Sequence, residues 1–267
     1  MGQDAPKPEN LWSTIHGLSI YARVFRGGPA SAPAMVLVHG LGVSGRYLLP
    51  TAVRLASDFP TYVPDLPGFG RSAKPSRILD LPELVDFLAA WMRGQGLSRA
   101  CLVGNSLGCQ YIVDLGVRYP DLVGWAVLVG PTMDPQARTL RGQIGRGALD
   151  LLGEPWHYWP LLTWDYLRAG PIRTLNTLRY ALKDPLVEKL ARLDVPTLVV
   201  RGSRDPIAPQ RWVEEMVRLL PRGKLLVLPK ATHAANYTAP AALAQAVRDF
   251  LDANSSPAPP RPQSVSL

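Results

Sequence analysis

Cysteines and long apolar runs are scarce in this chain of 267 residues. The only two cysteines, Cys101 and Cys109, are expected to be reduced packing residues in the interior. No apolar run approaches the roughly 18 residues that a membrane-spanning helix needs. The first ten residues, MGQDAPKPEN, are polar and contain proline, which predicts no secretory signal and therefore a cytoplasmic location.

Sequence patterns that bind metals or phosphates are also absent. The chain has no H-x-x-E-H, no C-x-x-C and no G-x-x-x-x-G-K-[ST], so it predicts no metal and no cofactor. Its net charge of +8 comes from scattered arginines rather than a basic run, which favours a solvated surface over a nucleic-acid partner. The expected partner is a small-molecule substrate, and the sequence leaves open whether the chain is a monomer or a dimer.

Short apolar runs alternate with amphipathic segments along most of the chain. The runs typical of parallel strands covered on both faces occupy residues 34–40, 61–68, 100–105, 125–130, 196–202 and 224–229. Residues 18–25 alternate like an exposed strand. Helices are predicted over 81–92 and in two segments that begin with Pro209 and Pro240. The pattern predicts an α/β fold, with a doubly wound, mostly parallel β-sheet flanked by helices.

One segment interrupts this alternation. Residues 131–190 contain no predicted strand, and we call them the helical insertion. We expect the insertion to form a helical lid over a core domain made of residues 12–130 and 191–252. Residues 253–267 are rich in proline and serine, which predicts a disordered tail.

Aromatic residues are dense in the helical insertion. Trp156, Tyr158, Trp159 and Trp164 lie within a stretch of nine residues. If their side chains face inward, they offer an apolar lining for a substrate pocket. The alternative is that they only pack the helices of the insertion against one another.

The stretch GNSLG places Ser106 between a predicted strand and a predicted helix. Gly104 and Gly108 flank it in the pattern G-x-S-x-G, which is typical of a tight turn that exposes a nucleophilic serine. Small neighbours are needed there because the serine occupies strained backbone geometry. The N-terminus of the helix that follows favours negative charge at the same place. Ser106 is therefore the candidate nucleophile.

A serine hydroxyl needs a base, and the base needs an acid that orients it. In this architecture the chain order is serine, acid, histidine, which leaves His157 and His233 as candidate bases. We favour His233 because it follows a predicted strand. Asp205 follows the preceding strand and is the candidate acid. Asp134 is the alternative acid, and a simple helix-capping role is the alternative for Asp205.

The reaction also needs hydrogen-bond donors for a developing oxyanion. The backbone N–H of Leu107, directly after the serine, is one candidate. The loop sequence HGLGVSG supplies the other, the backbone N–H of Leu41, because Gly40 and Gly42 permit a tight turn there. His39 is expected to be a structural residue of that loop.

Taken together, these motifs resemble the α/β-hydrolase fold family, which includes esterases, lactonases and C–C bond hydrolases. The resemblance covers residues 12 to 252 and is carried by the motifs HGLG, DLPGFGRS, GNSLG, GSRDPIAP and ATHAANYTAP. It implies a catalytic triad of Ser106, Asp205 and His233 with Leu41 and Leu107 as oxyanion donors. Dehalogenases and epoxide hydrolases of this fold carry aspartate where Ser106 stands, which counts against both.

The sequence is compatible with three functions. The first is a cofactor-independent hydrolase of carboxylic esters of small apolar or aromatic substrates, acting through an acyl-enzyme. The second is a C–C bond hydrolase of the meta-cleavage type, with which Asn105 before the serine is compatible. The third is a ligand-binding protein of the same fold with little turnover.

Overall fold

The computed structural model describes residues 7–29 and 31–254. The predicted tail therefore lies outside the described residues, except for Ala253 and Asn254, and so do the first six residues. The strands are β1 (Glu9–Ile15), β2 (Leu18–Phe25), β3 (Met35–Val38), β4 (Thr61–Pro64), β5 (Ala100–Asn105), β6 (Val123–Val129), β7 (Thr197–Gly202) and β8 (Gly223–Leu228). The helices are α1 (Leu49–Leu55), α2 (Leu81–Gly94), α3 (Gly108–Arg118), α4 (Leu140–Gly153), α5 (Trp159–Ala169), α6 (Pro171–Lys183), α7 (Leu186–Leu190), α8 (Gln210–Leu219), α9 (Ala235–Thr238) and α10 (Pro240–Asp252).

The strands form one eight-stranded sheet in the order β1-β2-β4-β3-β5-β6-β7-β8. β2 runs antiparallel to both of its neighbours, and every other pair of neighbouring strands is parallel. The predicted fold class is therefore confirmed. Within the described residues, no helix is long and apolar enough to cross a membrane.

The central strands are buried on both faces. In β3, Val36 and Val38 pack into the apolar cluster on one side of the sheet, whereas Met35 and Leu37 pack into the cluster on the other side. Helices cover both sides, so the strand needs apolar residues at consecutive positions. The carboxyl ends of β3, β5, β7 and β8 consequently meet at one edge of the sheet, where the candidate site residues follow them.

Three local expectations differ from the structure. Strand β1 is not predicted because it is an edge strand whose side chains are largely exposed. The expectation that β2 is exposed is wrong, since β1 and β4 cover its two edges and six of its residues are buried. Pro209 precedes α8 with extended backbone, whereas Pro240 does occupy the first position of its helix as predicted.

The helical insertion contains helices α4 to α7 and no strand. Several of its side chains bond to loops at the carboxyl edge of the sheet, and two of them are acidic. Asp165 of α5 accepts hydrogen bonds from the backbone N–H and the hydroxyl of Ser44, at 2.9 and 2.7 Å. Glu154, directly after α4, accepts a 3.0 Å hydrogen bond from the backbone N–H of Ala234. The insertion is therefore bonded to the edge of the sheet where the candidate site lies.

Candidate active site

Ser106 occupies a strained turn between β5 and α3. Its φ angle is +58°, in the left-handed region that side-chain-bearing residues rarely adopt. A Cβ atom at Gly104 would lie 2.7 Å from the carbonyl of Gly108, and one at Gly108 would lie 2.3 Å from the carbonyl oxygen of Val38. Both positions therefore require glycine, as the pattern predicted. The turn holds Ser106 at the wall of a cavity.

The structure brings His233 and Asp205 together. His233 Nδ1 lies 2.9 Å from Asp205 Oδ2, and both side chains are buried. The other carboxylate oxygen of Asp205 accepts hydrogen bonds from the backbone N–H groups of Ile207 and Ala208, at 2.8 and 3.0 Å. The carboxylate thus caps the turn before α8 and orients the imidazole at the same time. His233 Nε2 is buried without a hydrogen-bond partner among the described residues.

The surroundings of His233 raise the pKa of its imidazole. Burial lowers the pKa of its imidazole, but the charge and hydrogen bond of Asp205, together with Asp150 and Glu154, outweigh burial and raise the pKa to about 9. His157, the other candidate base, lies exposed after α4. Of the two histidines, only His233 is beside a buried carboxylate at the cavity wall.

The alternative acid, Asp134, forms ion pairs with two arginines. Its Oδ2 atom pairs with Arg146 at 2.7 Å and also with Arg211, and its Oδ1 atom accepts from the backbone N–H of Gln136. Burial raises the pKa of Asp134, but the hydrogen bonds from Arg211 and Arg146 outweigh it and the pKa is lowered. Its polar contacts are thus those of a buried ion pair, and they do not include His233.

The two residues that carry the candidate oxyanion donors, Leu41 and Leu107, line the same cavity as Ser106. In the described part of the chain, neither backbone N–H donates a hydrogen bond, so both are available to an oxyanion. His39 donates from Nδ1 to the Gly40 carbonyl and accepts at Nε2 from the Leu66 N–H, at 2.9 and 3.0 Å. Burial lowers its pKa, so the ring is a neutral structural group of the loop.

A chain of hydrogen bonds that the sequence did not predict joins three loops of the site. The Gly40 N–H donates to the Tyr47 hydroxyl, which donates to Asn105 Oδ1, at 3.0 and 2.9 Å. Asn105 Nδ2 donates to the carbonyl of His233 at 3.0 Å. Asn105, the residue before the serine, therefore connects the loop that contains Gly40 with the loop that contains His233.

Gly130 is a second site residue that the sequence analysis missed. Its φ angle is +54°, and a Cβ atom there would lie 2.8 Å from His233 Nδ1 and 2.9 Å from Asp205 Oδ2. A side chain at this position would therefore displace the acid–histidine pair. The signal in the sequence was a glycine directly after β6, at the same sheet edge as the other site loops.

The cavity has a volume of about 460 Å³ and its wall is mostly apolar. Of the four aromatic candidates, only Tyr158 lines it. Trp156 and Trp159 are 81% and 41% exposed and do not reach the cavity, and Trp164 lines a different one. These tryptophans lie in the 3-10 turn at 156–158 and in α5, and their side chains do not line this cavity. The residues of the helical insertion that line the cavity are Thr132, Met133, Gln143, Ile144, Gly147, Ala148, Asp150, Leu151, Tyr158, Leu162, Tyr166, Thr174 and Leu178.

Two carboxyl groups of the helical insertion lie next to His233, and neither was predicted. Asp150 lines the cavity, and burial raises its pKa to about 6. Glu154 is 5% exposed, and burial raises its pKa as well. Asp150 lies in the last turn of α4, and Glu154 directly follows the helix with its backbone N–H bonded to the Asp150 carbonyl. They surround the imidazole with negative charge in addition to that of Asp205.

Neither cysteine lines the cavity that contains Ser106. Cys101 and Cys109 are free thiols in the interior, and burial raises the pKa of both, that of Cys101 to about 12. Cys109 Sγ donates weakly to the carbonyls of Gly104 and Val129. The described residues contain no group of three or more histidine, cysteine or acidic side chains that could hold a metal ion.

The chain belongs to the α/β-hydrolase family, because the model of that family matches residues 35–246. It is 27% identical over 249 residues to 2-(acetamidomethylene)succinate hydrolase of Mesorhizobium japonicum, covering 84% of this chain and 89% of the relative. It is also 27% identical over 252 residues to carboxylesterase YbfK of Bacillus subtilis, covering 85% and 83%. A crystal structure of a membrane phospholipase A superposes with a TM-score of 0.82 at 24% identity, over 94% of this chain and 88% of that one.

Proposed function

We propose that this α/β-hydrolase is a serine hydrolase that cleaves uncharged, apolar carboxylic esters through an acyl-enzyme. The observation that carries the proposal is a hydroxyl at a strained turn, on the wall of an apolar cavity, with a carboxylate-bound histidine on the same wall. In this mechanism Ser106 attacks the ester carbonyl while His233 Nε2 accepts its proton. Asp205 holds the imidazole in the tautomer that leaves Nε2 free to do so.

The N–H groups of Leu41 and Leu107 stabilise the oxyanion, and His233 returns the proton to the leaving alcohol. Water then attacks the acyl-enzyme by the same route. Since His233 accepts a proton only when it is neutral, its raised pKa makes the reaction favour alkaline pH. The helical insertion acts as a lid that keeps the acyl-enzyme in an apolar environment.

The charge of the cavity wall favours an ester over the C–C hydrolase substrates. Among the described residues that line the cavity, none is lysine or arginine, and Asp150 is acidic. When His233 is neutral and able to act as the base, a substrate that carries a carboxylate would bury that charge without a cation to pair with it, which costs several kcal/mol. The ring-fission dienoates of C–C hydrolases carry such a group. A volume of about 460 Å³ suits a small organic ester.

The test is a series of p-nitrophenyl esters of increasing acyl length, measured beside a ring-fission dienoate. Within this series, the butyrate is compared with the succinate monoester, which has the same chain length but a terminal carboxylate. We expect kcat/KM to be at least about tenfold higher for the uncharged ester. Equal values would contradict the proposed substrate class, and turnover of the dienoate alone would favour the C–C hydrolase.

Two serine variants control this series. Ser106→Ala should abolish turnover, whereas Ser57→Ala, at an exposed position after α1, should not change it. If the wild-type protein binds esters but turns none of them over, the chain is a binding protein of this fold.

A further inference from the structure

The exposed large apolar side chains are concentrated in one part of the molecule. With the exception of Trp12, all those in the described residues lie between 144 and 172. We call them the apolar face: Ile144, Leu149, Leu151, Leu152, Trp156, Trp159, Trp164, Tyr166, Leu167 and Ile172. They belong to α4, the turn after it, α5 and the start of α6, and α5 packs against both the turn and α6. Exposed apolar surface of this extent marks an interaction site.

Exposed charges around the apolar face are positive. The carboxylates of Asp134, Glu154, Asp165 and Asp184 are buried, with at most 6% of each residue exposed. Between residues 135 and 187, all of which the structure describes, no acidic residue is exposed. The exposed charged residues in that range are Arg141, Arg168, Arg179 and Lys183. Glu188 in α7 is the exposed acid of the helical insertion, and between residues 135 and 187 the exposed surface combines apolar side chains with cations.

A second cavity, of about 440 Å³, opens beside the apolar face and is strongly basic. Its wall includes Trp164 of that face and a single carboxylate, Asp165. The arginines that line it are Arg23, Arg46, Arg71 and Arg168. Asp165 already accepts two hydrogen bonds from Ser44, and its closest contact with Arg46 is 4.0 Å. Because Arg23 is paired with Asp65 outside the cavity lining, three guanidinium groups remain against the single carboxylate of Asp165, and they leave an excess of positive charge.

Arg23, in the wall of this cavity, has hydrogen-bond donors that a ligand could use. The residue is only 6% exposed, and its guanidinium makes one hydrogen bond among the described residues, from Nη1 to Asp65 at 3.1 Å. A guanidinium has five N–H donors, so a buried arginine normally uses several of them. The guanidinium also lies over the Tyr21 ring, 4.8 Å from its centroid, and the donors that Asp65 does not take remain accessible at the wall of the cavity. Phosphate oxygens match this fork-shaped set of donors.

We propose that the apolar face docks onto the surface of an anionic phospholipid membrane, with a headgroup phosphate in the arginine-lined cavity. Tryptophan is favoured at such interfaces because its ring is apolar and its N–H is polar. Arginines next to an apolar face add electrostatic attraction to anionic lipids. Ile144, Leu151 and Tyr166 belong to the apolar face and also line the catalytic cavity, so an apolar path leads from the membrane to Ser106.

A second copy of the chain fits this surface less well. Two copies related by a twofold axis would bring the same surface together, and arginine would then face arginine without an exposed carboxylate to pair with. An anionic lipid surface supplies the opposite charge across the whole face. Docking does not depend on whether Ser106 is the nucleophile. Membrane binding can therefore be tested independently of the proposed ester hydrolysis.

The test is cosedimentation of the full chain with lipid vesicles. The Ser106→Ala variant is used beside the wild type, so that lipid hydrolysis cannot alter the vesicles. We expect binding to phosphatidylcholine vesicles that contain 30% phosphatidylglycerol, at least about tenfold weaker binding to pure phosphatidylcholine, and weaker binding at high salt. Equal binding to both, or no binding to either, would overturn the proposal.

Matched variants locate the contact. Trp156→Ser should weaken binding about tenfold, since the side chain is 81% exposed in the free protein. Arg141→Gln and Arg46→Gln should each weaken it about fivefold. Arg218→Gln, which removes an exposed charge from α8, should have no effect. If Arg141 and Arg218 variants lose binding equally, the attraction is due to net charge alone and the proposed face is wrong.

Two further measurements test whether a second copy of the chain or a soluble phosphate ligand binds this surface instead of a membrane. Sedimentation velocity without lipid should show a monomer, and a dimer that Trp156→Ser dissociates would assign the face to a second copy. Glycerol 3-phosphate and inorganic phosphate should compete only weakly with vesicles. If these small anions bind tightly, Arg46→Gln abolishes their binding, and vesicles do not bind, the cavity serves a soluble phosphate ligand and membrane docking is refuted.

Discussion

Removal of the Asp150 charge should stabilise the protein at alkaline pH. Burial raises the pKa of this carboxyl from 3.8 to about 6, helped by the charges of Glu154 and Asp205 and opposed by that of His233. A raised carboxyl pKa means that the folded state holds the proton more tightly than the unfolded state. The folded state therefore loses stability as pH rises from about 4 to about 6, and the full cost remains above that range.

The size of the change in the free energy of unfolding follows from these two pKa values of Asp150. A shift of one unit corresponds to about 1.4 kcal/mol, so ionised Asp150 costs about 3 kcal/mol at pH 8 and about 1.5 kcal/mol at pH 5. Asparagine has nearly the same shape and cannot ionise. Asp150→Asn should therefore raise the free energy of unfolding by up to about these amounts, with the gain roughly twice as large at pH 8 as at pH 5.

Urea denaturation at pH 5 and pH 8 measures this difference. Asp134→Asn is the matched control, because hydrogen bonds from Arg211 and Arg146 lower the pKa of Asp134 and the same change should destabilise the protein at both pH values. The reasoning is refuted if Asp150→Asn is less stable than the wild type at pH 8, or if its gain does not grow with pH.

Three other changes have defined outcomes. Asp205→Asn should reduce kcat for p-nitrophenyl butyrate by about 10⁴-fold and far more than Asp134→Asn, and the reverse ranking in folded variants would move the acid. The kcat/KM of the wild type should rise until about pH 9, because His233 must be neutral to accept a proton, and a flat profile above pH 6 would contradict its raised pKa. Gly130→Ala should lower kcat at least about tenfold while circular dichroism stays unchanged, because its Cβ atom would displace His233. Unchanged kcat in that variant would show that the acid–histidine pair tolerates a side chain there.

Local patterns were sufficient to predict the core of the fold. A continuous apolar run such as that of β3 indicates a buried parallel strand by itself, and the two glycines around Ser106 indicate a tight turn by themselves. The edge strand β1 gave no such signal, because an exposed edge needs few apolar residues. The covered position of β2 depends on β1 and could not be inferred without it.

Side-chain direction in the helical insertion could not be predicted. Which face of a helix points inward depends on how the helices dock, and no strand fixes their positions there. Trp156 and Trp159 consequently face outward, whereas Asp150 and Glu154 face His233. A sequence rule that places apolar residues inside and acids outside gives the opposite result at these four positions.

The covalent step through Ser106 is tested most directly by a p-nitrophenyl phosphonate ester. This reagent forms a stable adduct with an activated serine and mimics the tetrahedral intermediate. We predict that one equivalent attaches to the peptide containing Ser106, that esterase activity falls in proportion, and that Ser106→Ala takes up none. Full esterase activity in the labelled protein, or attachment to a different residue, would contradict the acyl-enzyme mechanism.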